Sequence, residues 1–282
     1  MHHLNTTEFT LVIGLGALVA GFLGALTGLG GGIVVTPLLT LAFGVNIRYA
    51  MGASLVSVIA TSSGAAAAYV KEGISNIRAG MFLEIATTTG AVMGAGIALR
   101  LPTAVIAIVF GVVLLYSAFQ STRIHPELTP DNREPDRISA LLRMDSTYPA
   151  LDGVKSYRVH SVPAGFGVMF GAGILSGLLG IGSGALKVVA MDQVMRLPFK
   201  VSTTTSNFMI GVTAAASAGV YLRQGYVDPG LAMPVMLGVL LGALLGARVL
   251  PRTRSHVLRL VFSIAVTVLA IEMIYHGISG RL

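Results

Sequence analysis

The sequence predicts an all-α polytopic membrane protein of two inverted repeats, each an interrupted or re-entrant Gly-rich helical hairpin followed by three transmembrane helices. Three observations carry this expectation. The first is composition: of 282 residues, 54% are hydrophobic and 11% charged, with a mean hydropathy of +0.81, whereas a soluble domain carries roughly 25% charged residues. The second is an internal duplication. Leu26-Thr27-Gly28-Leu29-Gly30-Gly31-Gly32 returns 152 residues later as Leu178-Leu179-Gly180-Ile181-Gly182-Ser183-Gly184, and the same ungapped offset pairs Gly21 with Gly173, Ser54 with Ser206, Thr61 with Thr213, Tyr69 with Tyr221 and Gly94 with Gly246. Chance matches between apolar helices give a few Leu or Ala identities, not Tyr and Gly in register over such a length. The third is the placement of Lys and Arg in short connections between apolar runs.

The amino-terminal Met1–Thr10 has no basic n-region, and no small-residue cleavage site follows, so the first apolar segment is expected to be retained. That segment, Leu11–Phe43, has 33 residues, too many for one straight crossing and too few for two, since a helix needs about 20. With four glycines at its break it reads as a hairpin or a broken helix. Ala50–Val70, Ala79–Leu99 and Thr103–Ser121 follow as ordinary spans. The second half repeats the order, with Ser161–Met195 interrupted and Val201–Leu222, Pro229–Leu250 and Val257–Tyr275 as spans. The chain therefore divides into a first transmembrane repeat at 1–121, a connector at 122–160 and a second repeat at 161–282.

The connector holds Arg123, Arg133, Arg137, Arg143, Lys155 and Arg158, which places it in the cytoplasm by the positive-inside rule. If both interrupted elements are re-entrant, 14 Lys and Arg lie inside and four outside; if they span, ten lie inside and eight outside. The charge bias favours the re-entrant arrangement. Two short full crossings per hairpin give the same parity and stay open at this stage. Three crossings per half is odd, so the second copy enters the bilayer upside down relative to the first. The connector itself, rich in Pro, Asp and Arg, reads as a linker with one surface helix at Ile138–Met144 whose apolar residues are Ile138, Leu141 and Leu142.

The net charge of +7 belongs with topology and lipid headgroups in such a chain, not with nucleic acid. Cysteine is absent, which removes disulfides, thiolate metal sites and cysteine nucleophiles. No His/Glu spacing forms a metal site, and no nucleophile sits beside a base. Neither an enzyme nor a cofactor-binding protein is expected.

In an inverted repeat the two glycine tips enter from opposite faces and approach one another near the midplane, where the helices that follow present unpaired N–H groups and positive dipole ends. Such ends bind anions, and discontinuous helices of this kind surround midplane substrates in secondary transporters. The candidate binding residues are Gly30, Gly31, Gly32, Gly182, Ser183 and Gly184, whose backbone a ligand can approach closely. Lys187, three residues past the second tip in apolar sequence, is a further candidate because an ionisable group at that depth is a functional hypothesis by default; a pair with Asp192 is its competing explanation. Ser54, Ser206 and Asn207 can replace part of an oxyanion's hydration shell, although Ser and Thr also serve as caps and interhelical links. Glu84 is the remaining intramembrane carboxylate, either a carrier of a coupling proton or a side chain snorkelling to the cytoplasmic interface. Gly90/Gly94 and Gly242/Gly246 read as helix-packing glycines.

The repeated motif resembles that of the sulfite exporter TauE/SafE-type family, also grouped with toluene-sulfonate uptake permeases. It reads Gly28-Leu29-Gly30-Gly31-Gly32…Pro37, Ala53-Ser54-Leu55 and Tyr69…Gly73…Asn76 in the first copy. In the second it reads Gly180-Ile181-Gly182-Ser183-Gly184, Thr205-Ser206-Asn207 and Tyr221…Gly225-Tyr226-Val227-Asp228. Ser183, Val189 and Asn207 depart from the pattern of a Gly, a Pro and a Leu. The resemblance implies a secondary transporter of a small sulfur-containing anion, sulfite first and a sulfonate such as sulfoacetate as the alternative, in a bacterial inner membrane. The anion and the lipid bilayer are the expected partners, and the small residues on helix faces are compatible with a homodimer.

Overall fold

The computed structural model describes residues 6–27, 31–71, 73–122, 136–150, 153–249 and 255–280. It is mostly helical, and helices α1 (Thr6–Thr27), α2 (Gly32–Pro37), α3 (Ile47–Lys71), α4 (Ile77–Ala98) and α5 (Thr103–Thr122) form the first half. After a short α6 (Arg137–Leu141) and the strands β1 (Ser146–Ala150) and β2 (Gly153–Tyr157), α7 (Val162–Leu179), α8 (Gly184–Val189), α9 (Phe199–Arg223), α10 (Pro229–Val249) and α11 (Ser255–Ser279) form the second. Within the described residues, four helical segments are long and apolar enough to cross a membrane: Ile77–Ala98, Thr103–Gln120, Val162–Leu179 and Pro229–Gly246.

The duplication recurs in three dimensions at the same offset. The short helices α2 and α8 each run on into a π-helical turn, Leu38–Ala42 and Ala190–Val194. Pro37 removes a backbone donor from α2, but Val189 occupies that place in α8 and the π turn follows all the same, so proline is not its cause. The chain then leaves the helix through a left-handed residue, Gly44 (φ +65°) in one copy and Arg196 (φ +57°) in the other. The Val45 N–H returns to the Leu39 carbonyl at 3.0 Å and the Leu197 N–H to the Met191 carbonyl at 2.9 Å.

Helix pairs are swapped between the halves. α1 lies along α10 in the same direction: Gly14 faces Pro234, Gly21 faces Val239, and Gly242 faces Leu18 and Phe22. α7 lies along α4 in the same way, with Gly173 against Thr87, Gly90 against Phe170 and Ile174, and Gly177 against Ala91 and Ala95. These two seams are equivalent under the 152-residue offset. Gly90, Gly94 and Gly242 are indeed packing glycines, since an added Cβ would overlap backbone atoms of the facing helix. α4 also runs alongside α9 in one direction, Gly80 touching Thr205 and Glu84 reaching Thr213. α5 and α11 run oppositely, with Ser263 donating to the Ala118 carbonyl at 3.2 Å and Gly277 against Ala104 and Ile108.

Side chains gather at two ends of the bundle. At one, the Arg48 guanidinium donates to the Leu101 carbonyl at 2.9 Å and the Leu99 carbonyl at 3.3 Å and sits 5.7 Å from the Tyr226 ring centroid. At the other, the Asn76 amide donates to the Met144 carbonyl at 2.7 Å and the Tyr157 hydroxyl at 2.9 Å, Arg78 donates to the Arg143 carbonyl at 3.0 Å, and the His160 N–H reaches the Met195 carbonyl at 3.1 Å.

The connector corrects the sequence reading. Beyond the helix it holds an antiparallel hairpin, β1 with β2, Tyr148 opposite Lys155, which the reading missed. Of the expected amphipathic patch, Ile138 packs on the core, whereas Leu141 is 80% exposed and Leu142 partly so. Met144, Tyr148 and Val159 supply the burial instead, in a cluster with Ala79, Leu83, Met195 and Val201. Burial pushes the Tyr157 hydroxyl up to about 12, so it meets Asn76 as a neutral phenol at ordinary pH.

Candidate functional site

The second glycine tip is built into a core shared by both halves: Leu178, Leu179 and Ile181 lie in one buried cluster with Ile33, Met51, Leu55, Val58 and Ile210. Gly180 (φ +68°) and Gly182 (φ +72°) take left-handed conformations that turn the chain between α7 and α8. Neither has room for a side chain, because a Cβ at Gly180 would overlap Met51 and one at Gly182 would overlap Ile210. The first tip arrives close by, and the space beside Gly32 is bounded by Val58, the Ser54 hydroxyl and the Ile181 carbonyl oxygen. Thus Gly32 is brought beside Gly180 and Ile181 of the second tip, whereas Gly31 faces Gly21 and Val239; Gly30 lies outside the described residues.

Two serines fasten this junction. The Ser54 hydroxyl is 3.1 Å from the Gly32 carbonyl oxygen and 2.9 Å from that of Gly180, sharing its proton between both tips. Ser206, at the matching position, donates to the Gly184 carbonyl at 3.1 Å. Both hydroxyls, buried, hold the tips in place from behind. Asn207 stands half-buried beside Ser206. Thr203 and Thr204 donate back to carbonyls of α9, and Thr205 accepts from the Asn76 N–H at 2.9 Å.

The tips differ in one respect. Gly31 is helical, φ −66°, whereas its counterpart Ser183 is left-handed, φ +48°, a conformation that costs a non-glycine residue about 1–2 kcal/mol. The Ser183 hydroxyl is buried and has no hydrogen-bond partner among the described residues. Regular bonding in α8 begins with the Lys187 N–H to the Ser183 carbonyl at 3.1 Å, so the amides of Gly184 to Leu186 are the first-turn donors that a helix leaves without an internal acceptor.

Lys187 and Glu84 form one polar cluster. Lys187 is fully buried and Glu84 is 8% exposed, with Nζ 3.7 Å from Glu84 Oε2. Nζ also donates to the Thr213 hydroxyl, which donates on to Glu84 Oε1 at 2.6 Å; Thr88 donates to the same oxygen at 3.0 Å. Glu84 therefore does not snorkel to an interface. The partner that Lys187 finds is Glu84 of the other repeat, not the Asp192 weighed in the sequence. Glu84 Oε2 has no hydrogen-bond donor. Among the described residues no group of three or more His, Cys, Asp or Glu side chains is arranged to hold a metal ion.

A family model described as "Sulfite exporter TauE/SafE" matches residues 13–273. The chain is 28% identical over 278 residues to "Probable membrane transporter protein YunE" of Bacillus subtilis (strain 168), covering 96% of this chain and 99% of that one. It is also 28% identical over 278 residues to a "Probable membrane transporter protein" of Xylella fastidiosa (strain 9a5c), covering 97% and 98%. "Probable membrane transporter protein YdhB" of Bacillus subtilis (strain 168) is 26% identical over 229 residues, covering 81% and 83%. No solved structure matches the chain.

Proposed function

The chain belongs to the sulfite exporter TauE/SafE family and is a membrane transporter, and on that premise we propose that it exports a small sulfur-containing anion, sulfite first, across the bacterial inner membrane. The anion is held where the two glycine tips meet, on the first-turn amides of α8 and the Ser183 hydroxyl. The observation that carries this reading is Ser183 itself: a strained residue with a buried, unpartnered donor at the start of a helix. Strain of that kind persists where the surroundings enforce it, and it clusters at ligand sites. Gly31 and Gly32 supply the facing wall, with Ser54 and Ser206 positioning both tips.

The tips are re-entrant and the repeats inverted in this reading. Support comes from which residues share an end of the bundle. Arg48 stands with Leu99, Leu101 and Tyr226, whereas Asn76 and Arg78 stand with the connector and Met195 joins it through His160. Arg48 is equivalent to Lys200 and Asn76 to Asp228 at the 152-residue offset, and Lys200 donates to the connector's Pro149 carbonyl, which supports equivalent positions at opposite ends. The second tip also lies beside Met51, Ser54 and Val58, within the length of α3 and not at its ends. With the connector in the cytoplasm, the outward drive on an anion is ~2.3 kcal/mol per charge per 100 mV of negative interior potential.

The test is sulfite efflux from proteoliposomes with and without an imposed potential. Ser183→Ala removes one donor to a desolvated charge, worth about 1.5–3 kcal/mol, so sulfite affinity is expected to fall at least tenfold with assembly unchanged. Equal affinity in the variant removes Ser183 from the site. A sulfonate presents the same sulfur–oxygen head, and transport of sulfoacetate without sulfite changes the substrate while keeping the tips.

A further inference from the structure

The Glu84–Lys187 pair exists in only one copy of the duplicated architecture: the positions equivalent by 152 residues are Met236 and Val35. The hydroxyl that links the pair, Thr213, does have a counterpart, Thr61, which donates to carbonyls of its own helix. The position of the pair is also informative, because Lys187 stands one helical turn beyond Ser183, its N–H bonded to the Ser183 carbonyl. An anion at the tip therefore arrives within reach of the ammonium group, and it competes there with the Glu84 carboxylate.

We propose that this pair couples anion movement to proton movement: Glu84 takes one proton from solution when a substrate anion replaces its carboxylate as the counter-ion of Lys187, and releases it when the anion leaves. The inference rests on the anion-transport reading above and adds the stoichiometry. Two features of the cluster enforce the exchange. A buried cation without a counter-charge is strongly disfavoured, so Glu84 is protonated only when an anion is present to balance Lys187. Two anions around one ammonium are disfavoured likewise, so the anion enters only when Glu84 has its proton. Glu84 Oε2, which lacks a hydrogen-bond donor, is the oxygen with a free site for that proton. The charged groups on the elements packed around Glu84 are few. α7 has none; α4 adds Arg78 and α9 adds Lys200 and Arg223, all exposed; the π turn after α8 adds the buried Asp192. Lys187 is the charge within ion-pair distance. Proton and anion thus travel in the same direction, and the net charge moved per sulfite is one negative unit smaller than that of the anion alone.

The experiment compares reversal potentials of sulfite-dependent current in proteoliposomes of the wild-type chain and Glu84→Gln, under the same sulfite gradient and with empty-liposome leak subtracted. Glu84→Gln keeps a hydrogen-bonding amide but cannot titrate, so it is expected to move one more negative charge per sulfite than wild type. Equal charge per sulfite in the two proteins overturns the coupling while leaving the transport reading intact. Absence of any sulfite flux by the wild type, measured as sulfite itself, overturns both, whereas wild-type flux without current beside a Glu84→Gln current supports the coupling. If Glu84→Gln fails to assemble, the wild-type protein decides by infrared difference spectroscopy on adding saturating sulfite. A gained carboxylic-acid C=O band supports the proposal, and saturation without that band overturns it.

Discussion

At the scale of single residues, Lys187 shows what membrane burial demands of a charge. Its ammonium lies in a fully buried position, and its partners Glu84 and Thr213 come from two other helices. Removing one member of a buried pair leaves the other uncompensated and costs about 3–5 kcal/mol, whereas removing both is often near neutral. Lys187→Met is therefore expected to lower the thermal unfolding temperature of the detergent-solubilised protein sharply, and the double variant Lys187→Met with Glu84→Gln to recover most of the loss. Additive losses in the double-mutant cycle mean that the two side chains do not act as a pair. Lys187 was legible in the sequence because a charge three residues past a glycine tip in apolar surroundings has few bland explanations. Its partner was not. Periodicity along one helix tests neighbours such as Asp192, while Glu84 belongs to the other repeat and is brought close only by the packing of α4 against α9. Ser54 and Ser206 were legible as a matched pair, but their hydrogen bonds into the tips depend on the fold of α2 and α8.

At the scale of elements, the seams between α1 and α10 and between α4 and α7 depend on where glycines face. α7 contains its own control. Gly173 and Gly177 press on the backbone of Thr87 and Ala91, while an added Cβ at Gly171 meets nothing within 4 Å. A side chain at Gly177 has to separate two helix backbones, since its Cβ would lie 2.7 Å from the Ala95 nitrogen, and backbone cannot yield as a flexible side chain does. Gly177→Leu is expected to abolish monodisperse purification, and Gly171→Leu to leave the elution profile unchanged. Similar profiles for both variants contradict the seam. The sequence displayed these glycines as small-residue spacings but could not say which of them face a neighbour, because almost the whole helix is apolar and no polar face marks the lipid side. The connector hairpin was hidden for a related reason: Ser146–Tyr157 alternates weakly and is short, and β2 also docks on Asn76 through Tyr157.

At the scale of the whole molecule, duplication at one fixed offset supplies two copies of a tip and of the serine that bonds to it, and the proposed site between the tips rests on inversion of one copy. Direction follows from helix pairings: α1 runs with α10 and α4 with α7, and α4 runs with α9. If the short connection from α9 to α10 reverses the chain across the bilayer, α4 and α10 are antiparallel, and so are α1 and α7, which are equivalent under the duplication. The natural absence of cysteine makes this directly measurable, because a single introduced thiol is the only target for a membrane-impermeant maleimide. Asn46, just before α3, and Lys200, near the start of α9, are both exposed and stand at opposite ends of the bundle in the inverted arrangement. Asn46→Cys is expected to react in intact cells from the outer face, and Lys200→Cys only in inside-out vesicles, as is Lys155→Cys on the connector hairpin. Labelling of positions 46 and 200 from the same face removes the inversion.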